Sequence, residues 1–298
     1  VSKENQINPN FRVKDYSVSG ESFQLIHNKE WDYLETVPKP ELDKLAAYYK
    51  SDDYISHTDT SRNLFEKVYQ LIRSLSLKRK LKLINEALDH DPNSFSASEK
   101  KLLDFGCGTG DFLKVAQANG WDVTGIEPNQ KARNLANNKC ADAAFDTEYL
   151  NDLPPNEFDV ITLWHVLEHL PDLQNQLHTL ERLLTQNGTL VIAVPNYKSK
   201  DAKHYKKCWA AYDVPRHLYH FSQKAISKLA VAHKMKVIKT KPMIFDAFYV
   251  SLLSEKHKSG HMNPVKALWN GLRSNWSAKQ SGEYSSLIYI LKKANDSK

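Results

Sequence analysis

Between residues 104 and 127 the chain places two carboxylates around a glycine-dense turn. Asp104 lies in an apolar run, Leu102 to Phe105, and Gly106, Gly108 and Gly110 follow at alternate positions. Glycine there lets the backbone turn sharply and approach a bound group with no Cβ in the way. About twenty residues on, Val123-Thr-Gly-Ile-Glu127-Pro128 reads as a second apolar run that ends in an acid. A glycine-rich turn after one strand and an acid after the next make a nucleoside-binding arrangement, because the acid can accept from both ribose hydroxyls. The dinucleotide fingerprint G-x-G-x-x-G would need glycine at 111, where this chain has Asp111. A carboxylate is a poor neighbour for a pyrophosphate and a reasonable one for a cationic ligand.

A second cluster is His165-Val-Leu-Glu168-His169, which matches the H-x-x-E-H pattern of inverted zinc proteases. That chemistry needs both histidines on one helical face and a third ligand further on. Here a strand is predicted to end at Trp164 or His165, and Pro171 argues against a long helix through the site. Cysteines at 107, 140 and 208 have no metal-ligand or paired spacing and fit a reducing compartment. No metal is assigned.

These residues must be held by something, and from 101 onward the chain alternates strand and helix, the signature of a parallel sheet with helices on both faces. Strands are predicted at 101–106, 122–127, 141–145, 158–164 and 189–194. The helix that starts at Asp111 stops at Asn119-Gly120, and another covers 129–138. Pro171 opens a helix with Leu173, Leu177, Leu180 and Leu184 on one face. An insert from Tyr197 to Phe221 follows, then a helix capped by Ser222 and reaching about Lys234, then a strand at 236–241. A second insert, 244–280, is apolar at first and then polar and basic, and Ser285 to Lys293 reads as the last strand. Upstream, Phe23, Leu25 and His27 alternate like a short strand, and residues 41–88 look helical. Lys78-Arg79-Lys80 and Lys82 are read as a solvated basic face on that helix.

Leu103-Asp104-Phe105-Gly106-Cys107-Gly108-Thr109-Gly110 resembles motif I of the class I S-adenosylmethionine (SAM) methyltransferases. Gly125-Ile126-Glu127-Pro128 resembles their ribose-binding acid, and Phe158 to Leu170 is similar to their strand-4 motif. The resemblance implies a Rossmann-like α/β fold with a seven-stranded sheet, its last strand antiparallel between strands 5 and 6, and an N-terminal helical cap. It implies SAM as cofactor and S-adenosylhomocysteine (SAH) as product. Cofactor contacts are expected from Asp104 to the ammonium and from the turn Phe105, Gly106, Cys107, Gly108 to the carboxylate, with Asp111 nearby. Glu127 would take the ribose hydroxyls and Pro128 would pack on adenine. One of Asp146, Thr147 and Glu148 would meet adenine, and Trp164 and His165 would line the methionine arm. The acceptor side is expected in the first insert, with Tyr212, Arg216 and Tyr219, and in the cap, with Tyr54. His217 is the first candidate base and His57 the second. A competing reading has His217 hydrogen-bonding backbone to hold the loop, and Arg216 pairing with Asp213. In many bacterial relatives the N-terminal region is a zinc ribbon; with no cysteine before 107, residues 1–45 read as a metal-free remnant.

The expected organisation is therefore residues 1–45 as the degenerate segment, 46–98 as cap and linker, and 99–298 as the SAM-binding domain with its two inserts. A net charge of +6, from 41 basic and 35 acidic residues, is mild and disfavours a nucleic-acid footprint, although the stretches 78–82 and 256–273 are basic. Apolar runs are far too short for a membrane span of roughly 20 residues. With no signal-peptide core at the N-terminus, the cytoplasm is the expected compartment. The reading is a SAM-dependent methyltransferase for a small-molecule acceptor, resembling quinone-biosynthesis and sugar methyltransferases. Its rivals are a methyltransferase-fold binding protein without turnover, a methyltransferase acting on a macromolecule, and a nucleotide-cofactor oxidoreductase.

Overall fold

Alternation along the strands builds two cores on one sheet. Leu103 and Phe105 point to one face and Leu102 to the other; Leu190, Ile192 and Val194 oppose Val191 in the same way. Strands apolar on both faces must be covered on both, and helices supply the cover. The structure, a computed structural model, describes residues 11–41, 44, 46–49, 64–89 and 100–294.

The main sheet contains β4 (Lys100–Phe105), β5 (Trp121–Ile126), β6 (Ala144–Phe145), β7 (Phe158–Trp164), β8 (Leu184–Pro195), β10 (Met235–Pro242) and β11 (Ser286–Lys293). Its order is β10-β11-β8-β7-β4-β5-β6, with β11 antiparallel to both neighbours. The seven-stranded sheet and the slot of its last strand are as expected. On one face lie α1 (Leu64–Asp89), α2 (Asp111–Gln117) and α3 (Gln130–Cys140); on the other lie α4 (Leu173–Leu183) and α6 (Gln223–Ala232). Asn129 and Ser222 cap α3 and α6 by accepting from Ala132 N and Ala225 N. The chain leaves β4 toward β5 and β6 and then returns to β7, so the strand order reverses between β4 and β7. Ligands of open α/β sheets bind beside such a reversal, outside the carboxyl ends of the strands.

Two boundaries differ from expectation, and the second insert takes on structure of its own. Pro171 precedes the helix rather than opening it, because Asp172 takes a left-handed conformation (φ 49°) and α4 starts at Leu173. Strand β8 begins at Leu184, since Phe158 pairs there before the register shifts. The second insert folds as two helices, α7 (Asp246–Ser259) and α8 (Pro264–Ser281).

A smaller sheet joins distant parts of the chain. Its order is β1 (Arg12–Lys14), β2 (Ser22–Asn28), β3 (Tyr33–Val37) and β9 (Tyr219–His220), which comes from the first insert. Leu34 pairs with His220, and Thr36 N donates to Leu218 O at 3.1 Å. Val13, Phe23, Leu25 and Leu34 form a third core with Trp209, Tyr212 and Val214 of that insert and with Tyr205 of α5 (Lys200–Tyr205).

Candidate functional site

Asp104 stands at the reversal point, opposite Thr162 of β7 in the register. Only 2% of it is exposed, and Thr162 Oγ1 donates to Oδ1 at 2.6 Å. Burial pushes the Asp104 carboxyl up to about 6; the Thr162 hydrogen bond and the nearby Lys80 work against the rise, and Glu127 adds to it. Past Asp104 the turn is pinned by Gly106 N and Cys107 N, which donate to Ile126 O at 2.7 and 3.1 Å. Two glycines are demanded for different reasons. At Gly110 (φ 77°) a Cβ would sit 2.8 Å from Ala136 of α3, whereas at Gly108 (φ 55°) it would meet nothing within 4 Å. Gly110 is needed for helix packing; Gly108 faces open space.

Glu127 closes the other side. Its Oε2 accepts from Gly108 N at 3.0 Å and its Oε1 from Asn129 N at 2.9 Å, while burial raises its pKa against those bonds. Each oxygen keeps a lone pair for a further donor. Pro128 is exposed beside it, and Asp146, Thr147 and Glu148 lie exposed just past β6, where Asp146 caps a short turn by accepting from Glu148 N at 2.9 Å. Phe105 and Cys107 are buried, and burial raises the Cys107 pKa so that the thiol stays neutral. Asp111 is already engaged: Lys139 Nζ lies 2.8 Å from Oδ1 and Thr109 Oγ1 donates to Oδ2 at 3.0 Å.

At the end of β7, Trp164 packs its edge on Phe112, and its Nε1 is buried with no acceptor among the described residues. Lys80 Nζ of α1 lies 4.4 Å from the Trp164 ring centroid, and the Arg79 guanidinium lies 4.9 Å from that of Phe245. The basic segment of α1 is therefore only partly a solvated face, because two of its cations rest on aromatic rings. His165 has φ 57° and links two acids, with Nδ1 3.3 Å from Glu168 Oε1 and Nε2 3.0 Å from Asp246 Oδ2 of α7. Burial opposes a charged ring, but these two carboxylates outweigh it and raise the His165 pKa to about 10. Glu168 is 1% exposed, with neither oxygen in a well-aligned hydrogen bond, so the His165 ion pair is its compensation.

Glu168, His169 and His217 bring one ligand-capable atom each to within 4.8 Å of one another. No helix carries them, because only a short 3-10 turn spans Leu167–His169, as the argument against a zinc-protease helix anticipated. The Glu168 charge is already met by His165, so the trio needs no ion for neutrality.

The first insert is docked on this turn, with Leu218 N donating to Glu168 O at 2.8 Å. His217 is buried; its Nδ1 lies 2.9 Å from Ala211 O. A carbonyl only accepts, so Nδ1 carries a hydrogen, and whenever the ring is neutral its lone pair is on Nε2. The two readings of His217 are thus compatible: the bond that braces the loop also selects a base-competent tautomer. The His217 ring lies edge to face with His169, centroids 4.5 Å apart.

Arg216 and Tyr212 depart from the expected acceptor contacts. Arg216 is 3% exposed, and its guanidinium donates to Asp15 at 2.9 Å, to Asp213 at 2.6 Å and to Tyr48 O at 3.1 Å. It is a brace, as the alternative pairing with Asp213 had it. Arg216 and the amides of Ser17 and Ser19 outweigh burial and hold the Asp15 carboxyl at about 2. Tyr212 is buried edge-on against Trp209, Phe11 and His220. Tyr219 Oη accepts from Lys39 Nζ at 3.0 Å and its ring packs on Tyr33. Tyr54 and His57 lie outside the described residues. Sequence reasoning missed Thr162, Lys80 and Asp246; only Thr162, two residues before Trp164 in a recognised strand, carried a usable signal.

The methyltransferase domain family matches residues 78–239, more than half of the chain. Among curated proteins, the chain is 28% identical over 108 residues to a ubiquinone biosynthesis O-methyltransferase of Klebsiella pneumoniae, covering 34% of this chain and 45% of that protein. It is 30% identical over 112 residues to the one from Methylococcus capsulatus, covering 35% and 47%. The matched region spans less than half the length of these relatives. Among solved structures, a SAM-dependent methyltransferase from Archaeoglobus fulgidus aligns with a TM-score of 0.51 at 18% identity, covering 77% of this chain and 98% of that one. Magnesium protoporphyrin IX methyltransferase from Synechocystis with bound SAH aligns with a TM-score of 0.51 at 15% identity, covering 85% and 94%. Those two likenesses speak to the fold, and together with the matched family they identify the chain as a member of the methyltransferase domain family with the class I SAM-methyltransferase fold.

Proposed function

We propose that this protein transfers a methyl group from SAM to a small-molecule acceptor. The observation that carries the reading is the buried Asp104 together with the half-buried Glu127, which accepts from Gly108 N beside the open side of that glycine, at the strand-order reversal. The residues present fit the cofactor. The site offers carboxylates for a cation and for a diol, an unfilled cradle at Gly108, and a buried Trp164 N–H without an acceptor among the described residues.

When bound, SAM supplies an electrophilic methyl group on a sulfonium. Asp104 would meet its ammonium, the amides near Gly106–Gly108 its carboxylate, and Glu127 its ribose hydroxyls. Pro128 and one of Asp146, Thr147 and Glu148 would flank the adenine, and Trp164 and His165 the methionine arm. His217 Nε2 would take the acceptor's proton, with Asp213 Oδ2 at 4.0 Å to stabilise the charged ring. The curated relatives support an oxygen acceptor on a small molecule. Calorimetry with SAM, SAH and NAD tests the reading: SAM and SAH should bind and NAD should not. Binding of NAD alone would restore the oxidoreductase reading, and SAM binding without turnover on any phenolic or sugar acceptor would favour the binding-protein reading.

A further inference from the structure

Helix α8 lies outside the matched domain and carries its apolar residues on the wrong side for a core helix. Val265, Leu268, Trp269, Leu272 and Trp276 share an arc of roughly 100° at helical spacing. All five are exposed, with Val265 at 78%, Trp269 at 67% and Trp276 at 71%. The opposite side is made of small residues, Ala267, Gly271, Ser274 and Ala278, all buried against the body. Its seating is fixed: a Cβ at Gly271 would come within 2.5 Å of Phe248 of α7, and Ser274 Oγ donates to the buried Asp201 at 2.7 Å. Rolling the tryptophans inward would bury their bulk where a glycine is required. The outward arc leaves on the order of 600 Å² of apolar surface open, at the upper end of what a monomer exposes.

Charge identifies what this face suits. Lys256, Lys258, Lys266, Arg273 and Lys279 are all exposed on the helix pair. The acids of the pair are both engaged elsewhere: Asp246 pairs with His165, and Glu255 is buried and accepts from Tyr205 Oη at 2.9 Å. A second copy of this chain on the same face would bring these cations together without compensation. No helix of the described residues is long and apolar enough to cross a membrane. A helix lying in the plane of an interface needs Trp and Leu on one side with Lys and Arg at the flanks.

We infer that α8 docks this protein peripherally on an anionic phospholipid bilayer, with Trp269 and Trp276 inserted at headgroup depth and the flanking lysines on lipid phosphates. The inference does not rest on methyl transfer. It adds a consequence to that reading: α7, which begins at the His165 partner Asp246, ties the docked surface to the site.

The test is co-sedimentation of the full chain with vesicles of phosphatidylcholine alone or mixed equally with phosphatidylglycerol. The expected result is binding to the mixed vesicles that weakens with salt, and little binding to phosphatidylcholine. Trp269→Ser with Trp276→Ser should lower binding at least tenfold while leaving thermal melting and SAM affinity unchanged. Lys266→Glu with Arg273→Glu, which keeps the apolar arc, should lower it at least about fivefold and abolish the anionic preference. Failure of the parent protein to bind mixed vesicles would overturn the inference, as would equal binding by the double tryptophan variant. A parent that is dimeric in solution, becomes monomeric with the tryptophan variant and ignores vesicles would make the face a self-association surface instead. Nucleic-acid binding lost with the same variants, without vesicle binding, would assign it to that partner.

Discussion

Replacing Asp104 with asparagine separates what the fold wants from what the ligand wants. Burial raises this carboxyl from 3.8 to about 6. An acid with a raised native pKa binds its proton more tightly when folded, so its stabilising contribution is full below 3.8 and is lost as pH rises through 6. A shift of about two units corresponds to about 3 kcal/mol lost at pH 8 and about half of that at pH 5. Asparagine keeps an oxygen for the Thr162 hydroxyl and carries no charge. Asp104→Asn without ligand should therefore be more stable than the parent by up to about 3 kcal/mol at pH 8, with the gain falling by about half at pH 5. Urea unfolding at both pH values measures this directly. SAM binding should move the opposite way: the variant should bind SAM much more weakly at pH 8, and the parent's affinity should fall about tenfold per pH unit below 6, where the proton must be expelled first. A variant less stable than the parent at pH 8, or a gain identical at the two pH values, would refute the burial argument. A parent affinity flat from pH 5 to 8 would remove Asp104 from the cationic contact.

Four further outcomes follow from the site. Glu127→Gln should weaken SAM binding by about 1.5–3 kcal/mol in calorimetry, since a charge-assisted acceptor is lost. Gly110→Ala should destabilise the fold by roughly 1–3 kcal/mol through its left-handed φ and the clash with Ala136, whereas Gly108→Ala should cost less stability and more SAM affinity; equal effects on both would mean that Gly108 does not face the ligand. His217→Ala should lower turnover with SAM affinity nearly intact, and unchanged turnover would leave His217 only its role in the loop. For Asp246→Asn, the sign follows from His165: a raised histidine pKa stabilises below 6.5 and is lost as pH rises through about 10. The melting difference between parent and variant should be clear at pH 7 and close toward pH 10, with a pH-independent difference counting against the ion pair.

The parts legible in the sequence were those whose partners are near in the chain or repeated by a rule. The turn at 104–110 and Glu127 follow successive strands, and periodicity alone places the strands that carry them. Thr162 was within reach by the same logic, because parallel register puts it opposite Asp104. Strand β9 was not: it is two residues long, and its register with β3 pairs Leu34 with His220 across the whole domain. Arg216 was ambiguous for a related reason, since its second acid, Asp15, lies 201 residues away. Asp246 opens a helix, where an acid is expected for the helix dipole alone, so nothing local marked it as the partner of His165. Periodicity showed that 244–280 was apolar in part, yet it cannot say which stripe of a helix points outward; the small residues at Ala267 and Gly271 decide that only once Phe248 is in place.

The shared sheet of β1, β2, β3 and β9 bears on how new specificities could be engineered in this scaffold. Loop transplantation ordinarily treats an insert as a cassette. Here the loop bearing His217 is held by Thr36, whose hydroxyl donates to His217 O at 2.6 Å, and by Asp15 through Arg216. A chimera that exchanges residues 197–221 alone would strand the buried Asp15 carboxylate and cut an edge strand from its neighbour. The unit of inheritance is discontinuous, and a working graft would have to carry residues 11–37 along with the loop.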